Sequence, residues 1–305
     1  MRLSEDFLQN IAKIIPQERM IQNEDMAVHT SFRVGGPARL MLTVENRDEL
    51  KNLVVYFNRT GHKYFILGNG SNLLVSDKGY DGIVIRLSGE FAGITVDGQK
   101  ITCGAGALLS QVSHEAADRS LSGMEFASGI PGSVGGAIVM NAGAYDGEMS
   151  RIVETVEVLT PEGEFLTLEN MIMEFGYRTS IIRNSEYIVT EVTLSLQNGD
   201  REEIAAKMND LAGQRRARQP LDLPSAGSTF KRPEGNYAGK LIMDAGMRGF
   251  QIGGARVSDK HCGFIVNVGY ASASDIYDVI CEVQDRVKSR FNVKLEPEVI
   301  LLGDF

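Results

Sequence analysis

A short glycine-rich stretch constrains the fold of this chain more than any other feature. It reads SGIPGSVGGA over residues 128–137, with four glycines within eight positions, and continues as NAGAY over 141–145. Glycine lets the backbone approach another group closely and adopt positive φ angles. The apolar run at 137–140 predicts the first turns of a buried helix. A glycine turn entering a helix directs N–H groups at one point, which suits a phosphate. A tight turn packed in a core is the alternative.

A second glycine-rich stretch makes the ligand interpretation stronger. It reads LGNGSNLLV over residues 67–75 and follows the apolar run YFIL at 64–67, a pattern of strand, glycine turn, polar pair and strand. Neither stretch matches the dinucleotide motif G-x-G-x-x-G or the P-loop motif, so a phosphate site here does not imply a Rossmann fold. Two separate glycine turns suggest a large ligand held from two sides.

The composition narrows the classes of partner. The chain has 305 residues, 43% hydrophobic and 23% charged, as in ordinary globular proteins, and its net charge is −9. An acidic chain is a poor partner for nucleic acid or an anionic membrane, although a locally basic site could still bind an anionic substrate. The N-terminal residues lack an apolar signal core, and no apolar run is long enough to cross a bilayer. We therefore expect a cytoplasmic protein without an obligate protein partner.

The cysteines predict neither a metal site nor a disulfide framework. There are three, Cys103, Cys262 and Cys281, an odd number without a C-x-x-C pair. Free thiols in a reducing compartment are the better interpretation, and we expect no metal.

Hydrophobic periodicity predicts helices and strands that alternate along the chain, with frequent hairpins, so we expect an α+β fold. Ser4, Asn46 and Ser274 are the predicted caps of three helices. Asp97-Gly98 predicts a hairpin between strands at 94–96 and 101–103. Further helices are predicted at 108–118, 201–216 and 238–244. Further strands are predicted at 38–44, 64–67, 82–87, 152–159, 164–168, 187–196, 263–267 and 293–302. We expect three consecutive parts, 1–88, 89–199 and 200–305, with the closing strand 293–302 returning to the active site.

These motifs together resemble one protein family, the UDP-N-acetylenolpyruvoylglucosamine reductases, over nearly the whole chain. The resemblance rests on the two glycine stretches and on further motifs in the family's order: TSFRVGGP at 30–37, YRTS at 177–180, AGSTFKRP at 226–233, KHCGFIVN at 260–267 and LEPEV at 295–299. It implies a flavoenzyme of bacterial cell-wall precursor synthesis. The implied fold is the FAD-binding fold of vanillyl-alcohol-type oxidases in two subdomains, followed by a C-terminal α+β substrate domain.

The resemblance implies FAD as cofactor and NADPH as co-substrate. Neither glycine stretch has a histidine or cysteine placed for a covalent link, so we expect non-covalent FAD. Met140, Asn141 and Ala142 are expected near the isoalloxazine ring. The residues expected to bind FAD are Gly68, Asn69, Gly70, Ser71, Asn72, Leu73, Ser128, Gly129, Ile130, Gly132, Ser133, Gly135, Gly136, Asn141 and Ala142.

Three residues outside the glycine turns are the implied catalytic groups. By pattern alone Arg178 is a surface arginine and Ser228 a turn hydroxyl, whereas a carboxylate such as Glu298 on an apolar strand is costly to bury unless it is used. The resemblance implies that Arg178 faces the enolpyruvyl carboxylate, which a guanidinium fork suits. It implies that Ser228 is the proton donor, and that Glu298 stabilises the enol-type intermediate as a neutral acid.

The substrate diphosphate needs cations, and here the sequence leaves choices open. Lys231, Lys260 and His261 are the candidates, although His261 could equally be a plain surface histidine. Two departures from the longer form of the family limit the resemblance. Only fifty positions separate Arg178 from Ser228, so the segment whose tyrosine covers the substrate is absent. Arg232 and Ile300 replace an asparagine and an arginine, so their contacts cannot be transferred.

The implied reaction is the NADPH-dependent reduction of UDP-N-acetylglucosamine enolpyruvate to UDP-N-acetylmuramate by a ping-pong sequence. Another flavin enzyme of the same fold, such as an oxidase of small alcohols, is one alternative. A flavin or nucleotide carrier is the other. A carrier would not need the three implied catalytic residues, which lie outside the glycine turns.

Overall fold

The computed structural model describes residues 3–305, which form two compact units. The first comprises the described residues up to Gln22, with Leu40–Asn69 and Gly82–Ala212; the second comprises Asn23–Arg39, Gly70–Asp81 and Gly213–Phe305. Each unit is thus assembled from segments that are distant in sequence. The division into 1–88, 89–199 and 200–305 stays a prediction.

Helices and strands are mixed along the described chain, in agreement with the α+β prediction. The α-helices are α1 (Glu5–Ala12), α2 (Arg47–Thr60), α3 (Leu109–Asp118), α4 (Val134–Val139), α5 (Arg201–Arg218), α6 (Ala238–Asp244) and α7 (Ala273–Phe291). The strands are β1 (Met20–Asp25), β2 (Pro37–Val44), β3 (Tyr64–Leu67), β4 (Leu73–Val75), β5 (Tyr80–Leu87), β6 (Ile94–Asp97), β7 (Lys100–Gly104), β8 (Leu121–Ser122), β9 (Gly143–Ala144), β10 (Gly147–Glu148), β11 (Val153–Leu159), β12 (Phe165–Glu169), β13 (Ile188–Ser195), β14 (Gln197–Asn198), β15 (Gln251–Ile252), β16 (Ala255–Val257), β17 (Ile265–Asn267) and β18 (Ile300–Leu302).

An antiparallel five-stranded sheet, in the order β12-β11-β13-β7-β6, dominates the first unit. The predicted hairpin joins β6 to β7, with Asp97 opposite Lys100 and Gly98 at φ 57°. Asn46 caps α2 as predicted, since its side chain accepts a hydrogen bond from the Glu49 N–H. The apolar face of α2 is buried in a core shared with β2, β5, α3 and the inner face of the sheet.

A smaller sheet, β15-β16-β17, and the helices α6 and α7 form the second unit's core. The last helix begins two residues earlier than predicted. Ser272, not Ser274, is its cap: the Ser272 side chain accepts from the Asp275 N–H, and the Asp275 side chain accepts from the Ser272 N–H. Ser274 lies in the first turn instead, where its hydroxyl and N–H both donate to Asp77.

The predicted closing strand at 293–302 is wrong in length. Only Ile300–Leu302 is a strand, paired in parallel with β4 through Ile300 and Leu73. The residues before Ile300 pair with a different segment of the chain. Pro297 forms an isolated β-bridge with Phe230. Proline has no N–H group to extend a ladder, so the segment changes partner where a continuous strand was predicted.

Asp77 stabilises the N-terminus of α7, and its charge predicts an acid-sensitive contribution. The carboxylate accepts hydrogen bonds from the N–H groups of Ala273 and Ser274, at 2.7 and 2.8 Å. Burial alone would raise the pKa of Asp77, but the bonds from Ser274 and Ala273 outweigh it and hold that pKa below its ordinary value. A depressed folded-state pKa adds stability that is complete above the unfolded-state pKa and is lost as pH falls through the folded-state pKa.

We therefore expect Asp77→Asn to lower the free energy of unfolding at neutral pH by about 0.5–1 kcal/mol, as for other exposed anions at helix N-termini. Urea unfolding at neutral and acidic pH would measure the difference from wild type, which should close in acid as the wild-type carboxylate is protonated. Asp285→Asn, an exposed position further along α7, is the control and should show little effect. A difference of constant size from neutral to acidic pH would contradict the assignment.

Candidate active site

The beginning of the first glycine stretch, Gly68 and Asn69, meets the second stretch within the first unit. A Cβ atom on Gly68 would lie 2.5 Å from the Ser133 hydroxyl oxygen, so the two backbones can approach only because Gly68 has no side chain. The neighbouring Asn69 donates through Nδ2 to the Pro131 carbonyl oxygen at 2.8 Å. Strand β3 ends at Leu67, the first residue of the first stretch, and α4 begins at Val134, within the second stretch. The structure therefore brings together two turns that the sequence separates by sixty residues.

Backbone N–H groups are the polar groups that these turns leave available. In the first unit, neither the Gly68 N–H nor the Asn69 N–H donates to a backbone carbonyl within the described chain, and the same holds for Gly129, Gly132 and Ser133. The hydroxyls are partly engaged: Ser128 donates to the Glu125 carbonyl, and Ser133 accepts from the Gly136 N–H as the cap of α4. Successive unbonded N–H groups in turns form anion-binding concavities, and they fit the pyrophosphate of FAD.

The first N–H groups of α4 itself are already bonded. Val134 donates to the Ala107 carbonyl and Gly135 to the Ala105 carbonyl, at 2.9 and 2.8 Å. A Cβ atom on Gly135 would lie 3.0 Å from the Ala105 Cβ and 3.2 Å from its carbonyl oxygen. The glycine at 135 thus serves the packing of α4 against the turn after β7. A ligand contact at Gly135 remains a prediction.

This packing predicts a strong effect of Gly135→Val. The branched side chain would overpack the contact with Ala105, so we expect a destabilisation of about 1–3 kcal/mol and a loss of bound flavin. The ratio of visible to ultraviolet absorbance and a thermal melt measure the two effects. Gly213→Val is the control, because a Cβ atom on Gly213 meets nothing within 4 Å. Full flavin content and an unchanged melting temperature in Gly135→Val would show that the packing of α4 does not require a glycine at this position.

Arg178 lies in the first unit at the tip of a tight turn. Gly176 and Thr179 exchange two backbone hydrogen bonds, which leaves Tyr177 and Arg178 between them. Arg178 is half-buried and has a φ of 56°, in the left-handed region that only a few per cent of non-glycine residues adopt. Its guanidinium carbon lies 5.5 Å from the centre of the Tyr177 ring.

Ser228 and Glu298 both lie in the second unit, on neighbouring backbone segments. The Glu298 N–H donates to the Thr229 carbonyl at 2.8 Å, directly beside Ser228. Ser228 is exposed, and it follows Gly227, whose φ is 76°. Thr229 is fully buried and its hydroxyl accepts from the Ile265 N–H at 3.1 Å, so this one residue joins the Ser228 segment to both β17 and the Glu298 segment.

The glycine stretch at 67–75 also contributes to the placement of Glu298. Asn72, predicted from the sequence as an FAD ligand, donates through Nδ2 to the Glu298 carbonyl at 3.1 Å. Its own carbonyl accepts from the Ile300 N–H at 3.0 Å. The backbone of Glu298 is therefore fixed on both sides, by Thr229 and by Asn72.

The predicted phosphate-binding cations lie in the second unit, and each has a partner. Lys231 Nζ lies 2.6 Å from Glu296 Oε1, and Lys260 Nζ donates to the Arg216 carbonyl at 2.6 Å. His261 Nδ1 accepts from the Gly263 N–H at 3.1 Å, and burial lowers the pKa of His261. The imidazole is therefore better suited to donate a hydrogen bond than to supply a positive charge. Substrate binding by these three residues stays a prediction.

The sequence analysis predicts Asn141 as an FAD-binding residue but not its side-chain hydrogen bonds, and it does not predict Thr229. Asn141 is 2% exposed and bonds both Gly176 and Ser150, and Thr229 is completely buried. A polar residue next to a glycine motif was the available signal for Asn141; nothing in the local pattern distinguished Thr229.

Cysteines and metal ligands add little to the site. The three cysteines are free, and burial raises the pKa of Cys103 to about 12, so this thiol stays protonated. Within residues 3–305, no cluster of histidine, cysteine and acidic side chains could hold a metal ion. In the same range, no helix has the length and apolarity to cross a membrane.

Comparison with known proteins extends these observations. Residues 38–169 match the family model of an FAD binding domain, and residues 219–302 match that of the UDP-N-acetylenolpyruvoylglucosamine reductase C-terminal domain. The UDP-N-acetylenolpyruvoylglucosamine reductase of Caldanaerobacter subterraneus subsp. tengcongensis is 49% identical over 99% of this chain and 100% of its own. That of Alkaliphilus oremlandii is also 49% identical, over 96% of this chain and 97% of its own. The crystal structure of the Thermus caldophilus enzyme superposes with a TM-score of 0.80 at 39% identity, covering 93% of this chain and 98% of that one.

The FAD-binding domain and its paired glycine turns define an FAD-dependent oxidoreductase. The identity to relatives over nearly its full length places the chain more narrowly: it belongs to the UDP-N-acetylenolpyruvoylglucosamine reductase family. The predicted family, the α+β fold class with its FAD-binding and C-terminal domains, and the cofactor FAD are confirmed.

Proposed function

We propose that this protein reduces UDP-N-acetylglucosamine enolpyruvate to UDP-N-acetylmuramate with NADPH, in the cytoplasmic synthesis of peptidoglycan precursors. The observation that carries the proposal is the pairing of Ser228 and Glu298. These residues lie on adjacent segments of the second unit, joined by the hydrogen bond from the Glu298 N–H to the Thr229 carbonyl. A flavin carrier would have no use for an exposed hydroxyl and a half-buried carboxylate on two segments whose backbones are joined in this way.

The glycine turns would hold the FAD. The unbonded N–H groups of Gly68, Asn69, Gly129, Gly132 and Ser133, all in the first unit, would bind its pyrophosphate. Bound there, FAD would supply the redox chemistry that couples oxidation of NADPH to addition of hydride at C3 of the enolpyruvyl group. Neither glycine stretch offers a cysteine or histidine for covalent attachment, so denaturation should release free FAD.

The three proposed catalytic residues would then act on the substrate. Arg178 would bind the enolpyruvyl carboxylate with its guanidinium fork and stabilise the negative charge that grows there as C3 gains its hydrogen. Glu298, as a neutral acid, would donate a hydrogen bond to the same enol-type system. Ser228 would give its hydroxyl proton to C2, which completes the lactyl group, and would regain a proton from solvent.

The test is a product assay with purified protein. NADPH and UDP-N-acetylglucosamine enolpyruvate are supplied, and mass spectrometry follows the sugar nucleotide, which should gain two hydrogens. NADH in place of NADPH tests the preferred reductant. If small alcohols reduce the flavin, or NADPH is oxidised with oxygen as the sole acceptor, and the sugar nucleotide is unchanged, the protein is a different flavin oxidoreductase. If the protein oxidises no reductant, it is a carrier.

A further inference from the structure

The turn that carries Arg178 is tied at two points to the end of helix α4. Asn141, two residues after the helix, donates through Nδ2 to the Gly176 carbonyl at 3.0 Å. Ser180, two residues after Arg178, donates through its hydroxyl to the Val139 carbonyl at 3.1 Å. The two bonds lie on either side of the turn, one before Arg178 in the chain and one after it.

Both tying side chains are almost completely buried, at 2% exposure each. The Asn141 amide is bonded at both ends, because its Oδ1 accepts from the Ser150 N–H at 2.9 Å while Nδ2 donates to Gly176. This arrangement permits one orientation of the amide only. Breaking either side-chain hydrogen bond would leave a buried carbonyl oxygen without a donor. This costs free energy, so both bonds stabilise the turn.

The conformation of the turn requires such support. Arg178 has a φ of 56° and Asn141 a φ of 41°, both in the sparsely populated left-handed region. Residues in that region persist where the surrounding structure fixes them, and they concentrate at functional sites. The same helix α4 is capped at its other end by Ser133, within the glycine stretch.

We infer that Asn141 and Ser180 are positioning residues, which fix the turn of Arg178 so that its guanidinium meets the substrate carboxylate. The inference rests on the proposed function, because it takes the carboxylate as the ligand of Arg178. It also gives the Asn141 side chain a role in orienting the substrate-binding arginine, beside the FAD contact that is predicted for Asn141 from the sequence. One short helix then sets the geometry of the glycine loop at one end and of Arg178 at the other.

The experiment compares two ligands that differ in the carboxylate. UDP-N-acetylmuramate carries a lactyl carboxylate, whereas UDP-N-acetylglucosamine has none, and calorimetry on the FAD-loaded protein gives the dissociation constant of each. Ser180→Ala breaks one tie. Asn141→Asp removes the donor to the Gly176 carbonyl. It keeps an oxygen that accepts from the Ser150 N–H, and aspartate tolerates a positive φ. We expect each to weaken the binding of UDP-N-acetylmuramate by about tenfold and to leave that of UDP-N-acetylglucosamine unchanged.

A double-mutant cycle separates positioning from general damage. If both residues act through Arg178, neither substitution should weaken UDP-N-acetylmuramate binding further in an Arg178→Ala background. Asn170→Ala is the matched control, since Asn170 Nδ2 bonds the Ser150 and Val153 carbonyls at 2.8 and 2.7 Å, and neither partner lies in the Arg178 turn. It should lower the melting temperature without changing the ratio of the two dissociation constants.

Four results would overturn the inference. Equal weakening of both ligands, or full additivity with Arg178→Ala, would make the ties merely structural. If Asn141→Asp fails to fold, Ser180→Ala alone tests the inference. An unchanged ratio of the two dissociation constants in Ser180→Ala would then contradict it. An Arg178→Ala protein with the wild-type ratio would instead refute the carboxylate-binding role of Arg178 under the proposed function, and the inference would fall with it.

Discussion

We expect Ser228→Ala to slow the reoxidation of the reduced protein by the enolpyruvyl sugar by about a hundred- to ten-thousand-fold, the usual cost of a lost general acid. Ser228 is exposed and follows a glycine with a positive φ, so the removal of its hydroxyl costs little packing. Fold and flavin content should therefore stay close to wild type. Reduction by NADPH needs no proton from Ser228 and should also survive.

Stopped-flow absorbance of the flavin, recorded separately with NADPH and with the sugar nucleotide, measures the two phases for Ser228→Ala. The neighbouring Thr229→Ser is a useful control, because it retains the hydroxyl that accepts from the Ile265 N–H. A Ser228→Ala protein that is reoxidised at the wild-type rate would refute the role of Ser228 as proton donor. A defect confined to the NADPH phase would place Ser228 on the nicotinamide side of the reaction.

The second large effect is expected for Arg178→Lys, again in the sugar-nucleotide phase alone. Lysine keeps the charge but loses the planar fork that matches a carboxylate, so we expect a loss of about a hundredfold, as for removal of one oxyanion donor. NADPH does not present the enolpyruvyl carboxylate, so the first phase should change little. Arg183→Lys is the control: Arg183 bonds the Arg178 carbonyl at 2.9 Å but is exposed. Equal losses in both phases of Arg178→Lys would make Arg178 a structural residue.

The local part of the fold could be predicted well because its signals are short-range. Asn46 and the apolar spacing behind it predict α2, and Asp97-Gly98 predicts the β6–β7 hairpin, since each depends on residues a few positions apart. The cap of α7 was placed two residues late, because Ser272 and Ser274 both precede the same apolar pattern. Only Asp77, almost two hundred residues away, shows why Ser274 lies inside the helix.

The site could be predicted in its parts but not in its connections. The glycine stretches stand out in the sequence, and the family resemblance singles out Arg178, Ser228 and Glu298. The hydrogen bonds that fix the positions of these residues cannot be predicted from the sequence, because each joins two distant segments. Examples are the bonds of Asn72 with Glu298 and of Asn141 with Gly176. Gly135 shows the same limit, because the group that its missing Cβ accommodates, Ala105, lies thirty residues before it.

The most direct test of the proposed function is an anaerobic titration of the purified, FAD-loaded protein. One equivalent of NADPH should bleach the flavin, and one equivalent of UDP-N-acetylglucosamine enolpyruvate should then restore the oxidised spectrum while an equal amount of UDP-N-acetylmuramate forms. A flavin that NADPH bleaches and that stays reduced in the presence of the enolpyruvyl sugar would contradict the account.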